Sequence, residues 1–253
     1  MDQTPLEEAL RAMDDRSMAL NRLAEVVASS SVESPLSLRM SVACASIFGV
    51  DGASLTLGYG DLNRVTLCAT DELSARLEDV QEVIGQGPSY DAYRCRAIVT
   101  TYIDRAVDQR WPLFSEAAKS ALGACTIYAF PIKPGPQTMG VATFYQVAGS
   151  ALSIDPQVGQ FLVNAVGVAL VSDPDVLDED RLTKEESWST QARIHQATGM
   201  VMTQLHLGVD DALALVRAHA YAHNSTLSQI SDEIIQRHLD FTATDQDPGR
   251  RRF

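Results

Sequence analysis

Seven side chains in the C-terminal quarter have the types that grip an anionic, hydrogen-bonding partner. Arg193, Arg217 and Arg237 carry guanidinium groups whose planar fork matches phosphate oxygens. His195, Gln196, Thr198 and Gln204 add donors and acceptors suited to looped bases or a sugar–phosphate backbone. A plainer reading stands beside each. Arg217 suits pinning one helix to another, and His219 suits packing on a semi-apolar face. Bond-making chemistry has no such constellation. The chain has no Ser-centred elbow, no His-Glu-x-x-His and no P-loop. No carboxylate pair has a spacing that assigns acid and base roles. Gly85-Gln86-Gly87-Pro88 lacks the lysine and length of a phosphate cradle and reads as a tight turn. Cys44, Cys68, Cys95 and Cys125 form no close pair and have no histidine nearby, so metal-ligand spacing is absent and buried thiols are expected. No enzyme activity, metal or cofactor is expected.

The seven side chains must be positioned by three amphipathic helices. The first runs from Lys184 to His206, with Ile194, Ala197, Val201 and Leu205 on one face. Gly199 inside it costs about 1 kcal/mol against alanine, so a close helix approach is expected there. The second runs from Asp210 to His223. Its two leading aspartates suit a helix N-terminus, and Ala212, Leu215, Val216 and His219 mark one side. The third runs from Leu227 to Leu239, with Thr226 and Gln229 as a capping box and Leu227, Ile230 and Ile234 as core. Thr183 and Glu186 form a second candidate capping box.

Upstream, apolar spacing predicts a helix over residues 1–30. A strand is expected at about 39–49, then a turn at Asp51-Gly52, a strand at 66–70, and a helix from Asp71 capped by Thr70. A short helix at 90–94, a weak strand at 97–101 and a helix over 115–122 follow. Two strong strands, 125–130 and 140–145, are joined by a proline-rich hairpin. Alternation sends Cys125, Ile127 and Ala129 to one face and Thr126, Tyr128 and Phe130 to the other. Both faces are largely apolar, so the strand is expected to be central. A helix over 155–171 closes this part. The layout is therefore an N-terminal helix (1–30), a sheet-and-helix domain (31–172), an acidic hinge (173–186), a helical domain (187–240) and a disordered tail (241–253). The tail ends in Arg250-Arg251-Arg252, which reads as a solvated terminus or as extra electrostatic affinity.

The 253 residues carry Lys+Arg 20 against Asp+Glu 33, a formal net charge of -13. That balance opposes non-specific attraction to nucleic acid or anionic membranes, without forbidding a local contact. No run of eighteen apolar residues exists and the N-terminus lacks a signal-peptide apolar core, so no membrane association and a cytoplasmic location are expected.

Ile194-His195-Gln196-Ala197-Thr198-Gly199-Met200-Val201-Met202, continuing through Ala212, Leu215, Arg217 and Ala220 to Leu227, Ile230 and Ile234, resembles an ANTAR domain. Leu67-Cys68-Ala69-Thr70-Asp71, Gly85-Gln86-Gly87-Pro88, Arg110-Trp111-Pro112-Leu113-Phe114 and Ala129-Phe130-Pro131-Ile132 resemble a GAF domain of the kind fused to ANTAR in actinobacterial regulators. The fold implied is an α/β, GAF-like antiparallel sheet flanked by helices, plus a C-terminal three-helix bundle. The resemblance implies a dimeric transcription regulator whose sensor domain controls an antiterminator that binds structured RNA, namely paired hairpins. Arg193, His195, Gln196, Thr198, Gln204, Arg217 and Arg237 are the expected RNA contacts.

The chain departs from the family where lysine often stands at Thr198, glycine at His206, basic residues at Ala218 and Thr226, and cysteine at Ser89. From Glu186 to His238 three basic residues face five acidic ones, which weakens the electrostatic term. The alternative is a dimeric protein-interaction or small-molecule-sensing switch without tight RNA binding. A small-molecule ligand would meet Tyr90, Tyr93, Phe114, Tyr128 and Phe144, each of which also reads as core.

Overall fold

A computed structural model describes residues 4–31, 33–58, 64–104, 108–147, 151–173 and 186–242. The elements in chain order are α1 (Thr4–Ser29), α2 (Leu36–Phe48), β1 (Gly52–Gly58), β2 (Arg64–Ala69), α3 (Glu72–Ile84), α4 (Pro88–Cys95) and β3 (Val99–Ile103). Then come α5 (Pro112–Leu122), β4 (Cys125–Ile132), β5 (Gly140–Gln146), α6 (Pro156–Val171), α7 (Glu186–Leu205), α8 (Val209–Ala222) and α9 (Leu227–Ile235).

The five strands form one sheet in the order β2-β1-β5-β4-β3, with every pair antiparallel. Alternation along β4 divides the core as expected. Tyr128, Phe130 and Ile132 join α1, α2 and α6 on one face, where Phe48 stacks on Phe144 at 4.4 Å and meets Phe130 edge-on. Cys125 and Ile127 join Leu77, Trp111, Phe114 and Ala118 on the other face, under α3 and α5. The result is an antiparallel sheet flanked by helices, followed by a three-helix bundle. No described helix is long and apolar enough to cross a membrane.

Two expectations need correction. Residues 39–49 lie in α2, not in a strand. The helix places Met40, Ala43, Cys44, Ile47 and Phe48 against the sheet at spacings of three and four. The first strand, β1, begins instead at Gly52, beyond the helix, and its seven residues are all buried. The cap of α3 is Asp71 rather than Thr70: Asp71 Oδ1 accepts from the Ser74 amide at 2.9 Å, while Thr70 Oγ1 donates to Asp71 Oδ2 at 2.8 Å. Asp155 caps α6 and Pro156 occupies its first turn. The Thr183–Glu186 box, most of the acidic hinge and the Arg250-Arg251-Arg252 tail lie outside the described residues.

Candidate functional site

The bundle closes on Ile194, Ala197, Val201, Ala212, Val216, Ala220, Leu227, Ile230 and Ile234, all buried. Thr226 and Gln229 form the expected capping box at the start of α9. His206 ends α7 in the left-handed conformation, φ 55°, which glycine adopts most readily. Asn224 does the same after α8, and Arg237, at φ 60°, turns the chain after α9. That turn is why α9 stops at Ile235, short of the Leu239 expected. His219 is packed, stacking on His223 at 4.0 Å and edge-on to Phe241.

Gly199 does not receive a helix. It is exposed, and a side chain there would meet nothing within 4 Å. It lines an open groove of about 470 Å3 with Gln196, Met200, Thr203, Gln204, Arg237 and Asp240. Three of the seven expected contact residues, Gln196, Gln204 and Arg237, thus come together around one bare stretch of helix. Gln204 Oε1 is buried and accepts no hydrogen bond among the described residues. His195 is exposed one residue earlier on α7.

The other three stand apart. Thr198 is only 4% exposed and donates its hydroxyl to the Ile194 carbonyl at 2.7 Å, so it belongs to the bundle core. Arg193 is tied to α9 through Asp232 at 3.2 Å and Ser228 Oγ at 3.2 Å, at the edge of solvent. Arg217 reaches away from the bundle altogether. Its Nη2 donates to Tyr90 Oη, 3.3 Å away on α4, and its guanidinium lies against Gly85. The bundle is docked on the sheet domain: α8 and α9 pack on α3, α7 packs on β2, and Val83 of α3 joins the bundle core.

Behind Tyr90 a polar network runs back to the sheet. The Arg64 guanidinium lies 4.1 Å above the Tyr90 ring and pairs with Glu78 at 3.2 Å, both side chains nearly sealed from solvent. Arg64 Nη2 also donates to Ser89 Oγ at 2.8 Å. Ser54 on β1 donates to Glu78 Oε1 at 2.8 Å. Ser89 is fully buried and donates both its amide and its hydroxyl to Gln81 Oε1, at 2.8 and 2.7 Å. Glu82 lies one helical turn beyond Glu78. Burial pushes its carboxyl up to about 7, Arg64 and Arg217 pull it down, and Asp79 and Glu78 push it further up.

The five aromatic residues expected around a ligand are divided by the sheet. Tyr128 and Phe144 are core on the α1/α2/α6 side. Phe114 is fully buried against Trp111 on the other side. Tyr93 packs on Ala92, Ala129 and Val141 and donates to the Gly58 carbonyl at 3.3 Å. Tyr90 faces Arg64 and Arg217. The residues that sequence reasoning missed are Arg64, Glu78, Asp79 and Glu82. Their signal was present: three acids within five positions of α3, on a helix that also carries apolar residues, call for cations from elsewhere. Among the described residues no His/Cys/Asp/Glu cluster could hold a metal ion.

No curated protein matches the chain. Among solved structures, the nlh2 GAF domain of A. aeolicus in an inactive state is similar with a TM-score of 0.40 and 11% identity, over 62% of this chain and 93% of that one. The phytochrome photosensory core module of Stigmatella aurantiaca is similar with a TM-score of 0.32 and 11% identity, over 88% of this chain and 46% of that one. Residues 184–235, which span α7, α8 and α9, match the family model described as the ANTAR domain.

Proposed function

We propose that this chain is a cytoplasmic transcription regulator in which α7–α9 bind paired RNA hairpins as an antiterminator under control of the GAF-like domain. Its working units are the sensor (31–172) and the RNA-binding module (187–240). The observation that carries the reading is the bare groove at Gly199. An exposed helical glycine with no neighbour costs the helix about 1 kcal/mol and returns nothing to the fold, so its use lies with a partner. Without a side chain at Gly199, a splayed base can approach the helix backbone. Gln196 and Gln204 supply hydrogen bonds, and Arg237 supplies charge. His195 and Arg193 extend the contact along α7, and Arg217 joins only when it leaves Tyr90. Two-hairpin RNA added to the full chain tests this: salt-dependent binding that weakens with Arg237→Ala supports it, and affinity no better than for an unrelated RNA overturns it.

The regulator acts as a homodimer. Leu10, Met13 and Met18 on α1 and Val168 and Val171 on α6 are exposed apolar residues on helices that pack together, the kind of surface a second copy covers. A second reading, an interaction switch without tight RNA binding, is favoured by one observation: Arg193 and Arg217 are both held internally. Dimer formation with no RNA affinity at low salt would select it.

A further inference from the structure

We propose that the cleft between the two domains binds a small organic cation, a primary amine carrying a compact apolar body. The cleft, about 460 Å3, lies between α3, α5 and the α8–α9 turn, within the size range of small-molecule sites. It is distinct from the five aromatic positions that the sequence suggested for a ligand, none of which lines it. Its walls include Val80, Val83 and Ile84 from α3, Ala121 from α5 and Ala220 from α8, which suit an apolar body.

The charge of the ligand follows from Asp79. It is the only carboxylate among the lining residues and accepts no hydrogen bond among the described residues. Its neighbour Glu78 already has a cation of its own in Arg64. Arg76, the only lining cation, is drawn to Glu72 at 2.6 Å. A partly desolvated carboxylate without a donor is costly, and burial together with Glu78 raises its pKa. An ammonium group answers both deficits, supplying donors and opposite charge. Tyr221, nearly half exposed, offers an aromatic ring for the same cation, and Asn224 and Thr226 offer polar groups from the bundle side. An anion would be repelled by Asp79, and a neutral alcohol would leave it uncompensated. Because the walls come from both domains, an occupant favours the docked arrangement over a separated one.

The probe is 2-phenylethylamine, titrated calorimetrically into the full chain near neutral pH with no RNA present, so that the outcome does not depend on RNA binding. The controls are 2-phenylethanol and 3-phenylpropionate. Saturable one-to-one binding is expected, with Kd on the order of 0.1–1 mM, about tenfold tighter than either control. Asp79→Asn should reduce the amine to the level of the alcohol. Ser120→Trp, at an exposed lining position of α5, should block all three compounds while leaving the melting temperature unchanged. No amine binding up to about 10 mM, an amine no tighter than the alcohol, or insensitivity to either substitution overturns the proposal.

Discussion

Tyr90→Phe separates the docking of Arg217 from its use on RNA. The substitution removes the oxygen that receives Arg217 and keeps the ring beneath Arg64. At 3.3 Å the Arg217–Tyr90 bond is long, which puts it below the range for hydrogen bonds to charged groups and at the typical net contribution of about 1 kcal/mol. Glu82 still attracts Arg217, so docking is weakened rather than abolished. If the docked bundle must release Arg217 to complete its RNA surface, apparent affinity scales with the released fraction, and about 1 kcal/mol gives about fivefold tighter binding. The assay is fluorescence anisotropy of a labelled two-hairpin RNA with the full chain. Arg217→Ala weakens docking too, but it also removes a phosphate contact, so its net effect is weaker binding and a salt slope reduced by about 1. The two ends of one hydrogen bond should therefore move RNA affinity in opposite directions. Tyr90→Phe leaving affinity unchanged or lower, or Arg217→Ala raising it, would refute the reasoning.

Three further substitutions have definite signs. Gly199→Ala should stabilise the chain by about 1 kcal/mol, since nothing crowds the new methyl group, and should weaken RNA binding; thermal melts and the same anisotropy assay read both, and a gain in affinity would speak against the groove. Glu78→Ala strips Arg64 of its buried partner and should cost about 3–5 kcal/mol in denaturant unfolding; a loss below about 1 kcal/mol would mean that the network is dispensable. Glu82 titrates at about 7 in the folded chain, above its unfolded value of about 4.3. The folded chain therefore holds the extra proton between these two values, and stability falls as pH rises through that window. Glu82→Gln should have little effect below pH of about 4 and should stabilise by on the order of 1 kcal/mol above pH of about 7; destabilisation above 7 would show that attraction to Arg64 and Arg217 outweighs burial.

The sequence was most legible where one face is buried and the other is wet. The period of α7 and the Thr226–Gln229 box located the bundle, and the alternation in β4 assigned both faces of the sheet. It was least legible where burial is nearly complete. In α2, buried residues come so close together that helical and extended periods blur, and β1, Gly-Ala-Ser-Leu-Thr-Leu-Gly, has few of the branched residues that signal a strand. Of the site, the types of Gln196, Gln204 and Arg237 were readable, while their convergence at Gly199 was not, because it depends on the left-handed turn at Arg237. Thr198 looked like a surface hydroxyl and proved to be a core one, satisfied within its own helix. The Arg217–Tyr90 contact spans 127 positions, and no local pattern reports so distant a partner.

Hydrogen–deuterium exchange on the full chain, with and without two-hairpin RNA, tests the central claim most directly. RNA should slow exchange in α7 and around Arg237 and, in the same sample, speed it in residues 79–90, where α3 and α4 lose the bundle that covers them. Slowed exchange in α7 with residues 79–90 unchanged or also slowed would contradict release of Arg217, and no change anywhere in 186–242 would contradict RNA binding itself.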